Sequence, residues 1–264
     1  NVTVAGNVIR RLGGTALTVR EGANVKIYGN LLYALGHSGM RVGGGNRKNL
    51  TSGRIVIENN DAGDFARCSR TYNPALLLEG CGARVAHNRF HHAPSSAMRI
   101  EGNDHLIEYN AVDHVVRESD DQGGIDMWGN PSYRGVTIRY NRWQDIGGGE
   151  MPCGQAGIRF DDAICGAVVY GNLFERTSEG HFGGVQIHGG QNNIVDNNIF
   201  TECRYGVSFS PWGQERWEEF LKREPIRKRM FTDVNIRVPP YSKRYPELAD
   251  LWGKADINRI WRNL

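Results

Sequence analysis

The chain has 264 residues, a formal net charge of +3, 39% hydrophobic residues, 34 Gly and only 9 Pro. This composition excludes a disordered or low-complexity chain, and no apolar run approaches the roughly 20 residues that cross a membrane. Residues 213–264 carry 12 Lys and Arg against 8 Asp and Glu, so the rest of the chain is close to neutral. Because nucleic-acid binding needs a basic stripe, this balance argues against a nucleic-acid partner.

The five cysteines are irregularly spaced and include no CxxC pair. They are Cys68, Cys81, Cys153, Cys165 and Cys203. An odd number with irregular spacing predicts neither a disulfide framework nor a zinc site. We therefore expect buried, small apolar side chains at these positions.

One short pattern recurs eight times along the chain: alternating apolar residues, a polar residue, an Asn and an apolar residue, as in VTVAGNVI. The recurring residues are Asn7, Asn30, Asn60, Asn88, Asn110, Asn141, Asn172 and Asn198. Their spacing of 22 to 31 residues fits one solenoid coil, with loops where it is longer. Asn amides stacked at one corner can hydrogen-bond to each other, and Asn tolerates the left-handed backbone of a corner. The repeat predicts an all-β, right-handed, single-stranded parallel β-helix of about eight coils over residues 1–212.

A second strand is predicted in each coil, after the ladder Asn. The eight segments are ALTVR, GMRVG, ALLLE, AMRIE, GIDMW, GIRFD, GVQIH and GVSFS. Since side chains alternate along a strand, positions two and four should face the core, from Leu17 and Val19 to Val207 and Phe209. Positions three and five should face outward and, with strands about 4.8 Å apart, should form one continuous polar patch.

The pattern changes towards the C-terminus. The spacing of Trp217, Phe220 and Leu221 predicts a helix in GQERWEEFLKREPIRKRM, and YPELADLWG predicts a short helix that ends at Gly253. INRIWRNL then restores the repeat with Asn263. We expect residues 213–256 to be a partly helical insertion and residues 257–264 to begin a further coil. Since no solenoid cap is visible at either end, we also expect a fragment of a longer protein.

Acidic residues concentrate on two consecutive coils of the predicted patch. They are Asp120, Asp121, Asp126, Asp161 and Asp162. Glycoside hydrolysis uses a pair of carboxyl groups, one as an acid and one as a base or nucleophile. Strand spacing alone puts the Cα atoms of Asp126 and Asp161 about 8 Å apart, which allows an inverting arrangement. The alternative is that these acids cap turns and form ion pairs with Arg99 and Arg159.

The remaining outward residues of these coils are candidates for substrate binding. They are Arg99, Glu101, Trp128, Arg159, Gln186 and His188. An exposed indole suits stacking on a sugar ring. The run HNRFHH contains His87, His91 and His92, but its spacing matches no standard metal site, so we assign it to a turn and predict no metal site.

The segments SDDQGGIDMWGNPSYRGVTIRYNRWQDIGG, GIRFDD and RYPELADL resemble β-helix proteins grouped around glycoside hydrolase family 141. The resemblance runs from about Ala97 to Leu264. It implies an enzyme acting on fucosylated pectin or xylan, with catalytic carboxylates within Asp120/Asp121 and Asp161/Asp162. The chain departs from the family at Asp126, where an aromatic residue is usual.

Three functions remain open at this point. The first is a glycoside hydrolase that needs no cofactor, and the second is a polysaccharide lyase, which would use Ca²⁺ or Arg to neutralise a uronate. The third is a non-catalytic carbohydrate-binding solenoid. All three imply a polysaccharide or oligosaccharide partner. We also expect no membrane span and a secreted or periplasmic location.

Overall fold

The computed structural model describes residues 1–149, 151–253 and 257–264. Its strands form three sheets that run along the length of a parallel β-helix. Each of eight consecutive coils contributes one strand to every sheet, and a ninth described strand is added at the end of the first sheet. The sequence predicted two strands per coil; the structure has three, because the short run after each ladder Asn is a strand of its own. The predicted fold class is confirmed.

The first sheet contains the strands that precede the ladder Asn: Val2–Ala5, Val25–Tyr28, Val56–Glu58, Arg84–Ala86, Leu106–Glu108, Thr137–Arg139, Val168–Tyr170, Ile194–Asp196 and Arg259–Trp261. The second sheet contains Val8–Leu12, Leu31–Leu35, Asp61–Gly63, Arg89–His91, Ala111–Asp113, Arg142–Gln144, Leu173–Glu175 and Ile199–Thr201. The third sheet contains Leu17–Gly22, Met40–Gly44, Leu76–Cys81, Met98–Asn103, Gln122–Trp128, Gly154–Asp161, Val185–His188 and Val207–Ser210. Ser178–Gly180 pairs antiparallel with Gly154–Asp161.

Inward side chains form files that run from coil to coil. Ile57, Val85, Ile107 and Ile138 occupy matching positions on neighbouring strands of the first sheet and are fully buried. Each such side chain contributes roughly 1.5–3 kcal/mol of transfer free energy. In the third sheet, the predicted inward positions are buried from Met40 to Ile187. On the two end strands of that sheet, Leu17, Val19 and Val207 are only partly buried and Phe209 is exposed, because each of these strands has a neighbouring strand on one side only.

The Asn ladder is continuous. Asn88 Nδ2 donates to Asn110 Oδ1 at 2.9 Å, and Asn110 Nδ2 donates to Asn141 Oδ1 at 2.9 Å. The file continues to Asn263, whose Oδ1 accepts from Asn198 Nδ2 at 3.0 Å. The left-handed residue of each corner is the one before the ladder Asn, as at Tyr109 with φ 56°. The ladder Asn itself therefore keeps its amide turned toward the next coil.

The helical segment packs along the corner between the third and first sheets. It contains Gly213–Lys222, Glu224–Phe231, Tyr241–Arg244 and a 3₁₀ helix, Pro246–Asp250. The single long helix predicted from sequence is broken at Arg223, because Pro225 begins a new helix. Trp217, Phe220 and Leu221, whose spacing predicted the helix, are buried, and Tyr241 Oη donates to Asn103 Oδ1 at 3.1 Å. The last part of the predicted insertion, residues 254–256, lies outside the described residues.

The cysteines are not uniformly buried. Cys81 and Cys165 are buried and Cys203 is partly buried, but Cys68 and Cys153 are exposed. Both exposed cysteines lie in loops between strands, where the alternation that predicted burial does not apply.

Candidate functional site

A groove with a volume of about 440 Å³ lies on the outer face of the third sheet. Six residues predicted from sequence line it: Arg99, Asp121, Asp126, Trp128, Arg159 and Asp161. They come together because parallel register places Asp126 opposite Arg159, and Trp128 opposite Asp161, on neighbouring strands. Arg99 lies opposite Asp126 on the other side. Side chains that are far apart in sequence therefore meet on one face.

Arg159 lies between two carboxylates. Its Nη2 is 2.6 Å from Asp121 Oδ1 and 3.0 Å from Asp161 Oδ1. The Arg159 side chain is buried, and its Nε has no hydrogen-bond partner among the described residues. Its guanidinium also lies 5.6 Å from the ring centre of Phe182. These contacts fix the guanidinium at the base of the groove.

Burial is the main cause that raises the pKa of Asp121, and the neighbouring charges of Asp161 and Asp120 raise it further. Arg159 acts in the opposite direction. Asp121 is carried into the groove by the turn before the strand Gln122–Trp128, with φ 57°. It thus holds a proton more firmly than an ordinary carboxyl group.

A chain of polar contacts continues from Asp161 along the groove. His188 Nδ1 lies 3.0 Å from Asp161 Oδ1 and 3.7 Å from Asp162 Oδ1. Trp128 Nε1 donates to Asp162 Oδ2 at 3.1 Å. Donor atoms of Asp161, Asp162 and His188 all lie within 4.8 Å of one another, so these three could hold a cation. Arg216, whose Nη2 is 3.5 Å from His188 Nε2, brings a positive charge to the same place.

Asp126 faces the groove but is only 8% exposed. Burial raises its pKa to about 6, although hydrogen bonds from Ser96 Oγ and the Gly123 N–H oppose this shift. The sequence predicted an outward-facing Asp126 near Asp161; the side chain is buried instead, and Ser96, in the loop before the strand Met98–Asn103, hydrogen-bonds to its carboxylate. Asp126 therefore forms part of the floor of the groove.

Two predicted site residues, Asp120 and Gln186, form hydrogen bonds to other parts of the protein. Asp120 accepts hydrogen bonds from the backbone N–H groups of Gly154 at 2.9 Å and Cys153 at 3.2 Å, and it does not line the groove. Burial opposes its ionisation, but these backbone donors lower its pKa. Gln186 is 1% exposed and hydrogen-bonds to Ser210 on the next coil. The expectation that Gln186 contacts substrate does not fit this burial, since an outward strand position can still be covered.

Trp128 is 43% exposed at one side of the groove. Two guanidinium groups lie near its ring centre, Arg99 at 5.8 Å and Arg229 at 5.0 Å. Arg99 also donates from Nε to Glu101 Oε1 at 2.8 Å. Cation–π contacts of this kind keep the indole in place, and a sugar stacking on it would share the ring with these groups.

Sequence reasoning missed four residues at or beside the groove. They are Tyr72, Phe182, Arg216 and Arg229. Tyr72 and Phe182 lie in loops that carry no repeat signal, and both arginines come from the helical segment. Helical spacing predicted a helix in that segment, but it contained no information on where the segment docks.

A comparison with family models gives a match to the right-handed β-helix region over residues 74–216, which is more than half of the chain. The chain belongs to the right-handed β-helix family. The matched range contains every predicted site residue. Proteins with this region include polysaccharide-active enzymes and proteins of other kinds.

Comparisons with curated proteins and with solved structures gave no match. Among the described residues, the helices are too short or too polar to cross a bilayer.

Proposed function

We propose that this β-helix protein is a glycoside hydrolase that cleaves a polysaccharide, or its side chains, in the groove of the third sheet. The proposal depends on one observation: Asp121 and Asp161 contact the same nitrogen of Arg159, at 2.6 Å and 3.0 Å. Their contacting oxygens cannot be further apart than the sum of those distances. Retaining glycosidases hold their two carboxyl groups about 5 Å apart. The contacts thus favour a retaining reaction over the inverting one that the Asp126–Asp161 estimate allowed.

In this proposal Asp121 is the acid and Asp161 the nucleophile. Asp121 has the raised pKa that a proton donor needs, and it gives its proton to the glycosidic oxygen as that bond breaks. Asp161, oriented by Arg159 and His188, attacks the anomeric carbon and forms a glycosyl ester. Water then loses a proton to Asp121 and hydrolyses the ester, which restores both carboxyl groups.

The resemblance to glycoside hydrolase family 141 supports fucosylated pectin and xylan as the substrate class to test first. The exposed ring of Trp128 supports sugar stacking beside the carboxyl pair. A secreted or periplasmic location follows as part of the proposal, because such polymers lie outside the cell. No cofactor is needed for the carboxyl chemistry.

A polysaccharide lyase is the second candidate, favoured by Arg99 and Arg159, which line the same groove and could neutralise a uronate. Incubation with pectic, xylan and fucosylated glycans separates the candidates. New reducing ends without the ultraviolet absorbance of an unsaturated sugar indicate hydrolysis. The same ends with that absorbance indicate elimination, and binding without cleavage indicates a carbohydrate-binding solenoid.

The matched variants for this screen are Asp121→Asn and Asp161→Asn, which preserve side-chain shape. Asp233→Asn is the control, because Asp233 is a surface carboxylate that pairs with Lys228 at 3.6 Å and does not line the groove. We expect both groove variants to lose cleavage and the control to retain it. Full cleavage by both groove variants would refute the proposed site.

A further inference from the structure

Histidines and carboxylates gather on the outside of the solenoid, where the second sheet ends. His92 and His114 follow the strands Arg89–His91 and Ala111–Asp113 and occupy the same corner of consecutive coils. Both have left-handed backbones, with φ 51° and 53°, and the His92 N–H donates to the Asp113 carbonyl. The stacking of coils therefore places His114 beside His92, although His114 is not part of the run HNRFHH.

Three donor atoms converge at this corner. Asp113 Oδ2 lies 3.0 Å from His114 Nδ1 and 3.9 Å from His92 Nδ1. Potential ligand atoms of these three residues all lie within 4.8 Å of one another. Zinc binds imidazole nitrogen and carboxylate oxygen at about 2.0–2.2 Å, so two ligands of one ion are separated by roughly 3–4 Å. Small side-chain rotations would bring the three donors to that separation.

Further carboxylates lie beside the outer ring nitrogens, as is usual around metal-binding histidines. His114 Nε2 is 3.8 Å from Asp145 Oδ2. His91 Nε2 is 2.8 Å from Asp61 Oδ1, and its Nδ1 lies 2.9 Å from His92 Nδ1. Gly63 makes room for this arrangement, because a Cβ there would lie 2.3 Å from the His91 ring. The cluster is therefore supported from four consecutive coils.

We propose that His92, Asp113 and His114 form a binding site for a divalent transition metal ion of the zinc type. The His92 and His114 side chains are 59% and 42% exposed, so a fourth position is open to water or to His91. Arg89 Nε also contacts Asp113, at 3.2 Å from Oδ1; it holds the carboxylate but weakens its attraction for a cation. A bound ion would tie two coils together at the start of residues 115–121, which lead to Asp121.

The test is a calorimetric titration of Zn²⁺ into the tag-free protein, compared with His114→Ala and Asp113→Asn. His87→Ala is the matched control, because His87 lies on the same coil as His92, is exposed, and has the same left-handed backbone with φ 56°. We expect one Zn²⁺ per chain in the wild type and the control, and binding at least about tenfold weaker in both cluster variants.

Circular dichroism checks that each variant is folded, and Asp113→Asn preserves side-chain shape should His114→Ala unfold. Equal Zn²⁺ binding by wild type and Asp113→Asn would overturn the proposal, because the site would then lie elsewhere, for example at Asp161, Asp162 and His188. The absence of stoichiometric Zn²⁺ binding by the wild type would overturn it as well. Neither result depends on glycan cleavage, so this inference and the proposed function can fail separately.

Discussion

The Asn ladder and the groove face of the third sheet are built by the same coil-to-coil stacking, but they differ in what is stacked. At the ladder, every coil supplies the same residue, and Asn110 donates to Val85, Glu108 and Asn141 while it accepts from Asn88. On the groove face, adjacent coils supply unlike residues, because Asp126 lies between Arg99 and Arg159, and Trp128 lies beside Asp161.

Because of this difference, the ladder contributes to stability and the groove face contains the groups proposed for chemistry. Identical stacked amides satisfy one another, which leaves no polar group available for a ligand. Unlike neighbours on the groove face leave a buried Asp126 with a pKa of about 6, and an Arg159 Nε without a partner among the described residues. Perturbed groups of this kind mark sites more often than scaffolds. Substitutions at four positions, with a control at Asn7, test the contrast.

The largest effect is expected at the groove. Asp161→Ala should lower kcat by at least about a hundredfold, since it removes the proposed nucleophile, while the protein stays folded because Arg159 keeps its contact with Asp121. Azide added to this variant should restore glycosyl transfer, because a small anion fits the space of the lost carboxylate. Product analysis of the azide reaction provides the measurement, and activity within a few-fold of wild type would exclude Asp161 as the nucleophile.

A ladder variant should mainly lower the stability of the fold. Asn110→Ala leaves several buried backbone groups without partners and should lower the free energy of unfolding by about 3–5 kcal/mol. Asn7→Ala is the control, because Asn7 lies at the exposed start of the same file and should cost about 1 kcal/mol or less. Chemical denaturation measures both. A similar cost at the two positions would contradict the role of ladder burial.

Asp126→Asn should stabilise the protein at neutral pH. Burial raises the pKa of Asp126 to about 6, so the folded state binds its proton more tightly than the unfolded state does. The resulting stabilisation is complete below about pH 4 and is lost as pH rises through about pH 6. The amide avoids this loss, and we expect a gain of roughly 1–3 kcal/mol at pH 7 that vanishes near pH 4. Denaturation curves at both pH values provide the measurement.

The smallest effect is expected at Trp128. Trp128→Ala should raise KM by about five- to tenfold through loss of the stacking surface, with kcat nearly unchanged. Trp128→Phe retains a ring but loses the hydrogen bond to Asp162, so it separates stacking from hydrogen bonding. An unchanged KM in both variants would show that the indole does not bind the substrate.

The repeat in the sequence was sufficient to predict the solenoid, the ladder up to Asn263 and the shared face of Asp161, Trp128 and Arg159. Strand periodicity carries that information because each side chain alternates in direction. It carries no information on what covers an outward side chain, which is why Gln186 was expected to be accessible. The strands of the second sheet were also missed, since six of the eight have only three residues, too few to show a clear alternation.

The conformation of the loops and the docking position of the helical segment could not be predicted from the sequence for a different reason. The turn that brings Asp121 into contact with Arg159 is fixed by tertiary contacts, and the spacing rule favoured Asp126 instead. The resemblance to family 141 proteins pointed to Asp120 or Asp121; Asp120 accepts hydrogen bonds from two backbone N–H groups, and Asp121 is the acid in our proposal.

The most direct test of the proposed chemistry is mass spectrometry of glycan digests carried out in heavy-oxygen water. We predict one heavy oxygen atom at each new reducing end with the wild-type protein, no unsaturated product, and no detectable cleavage by Asp161→Asn. Cleavage without incorporated heavy oxygen, or equal incorporation by the Asp161→Asn variant, would contradict hydrolysis by this carboxyl pair.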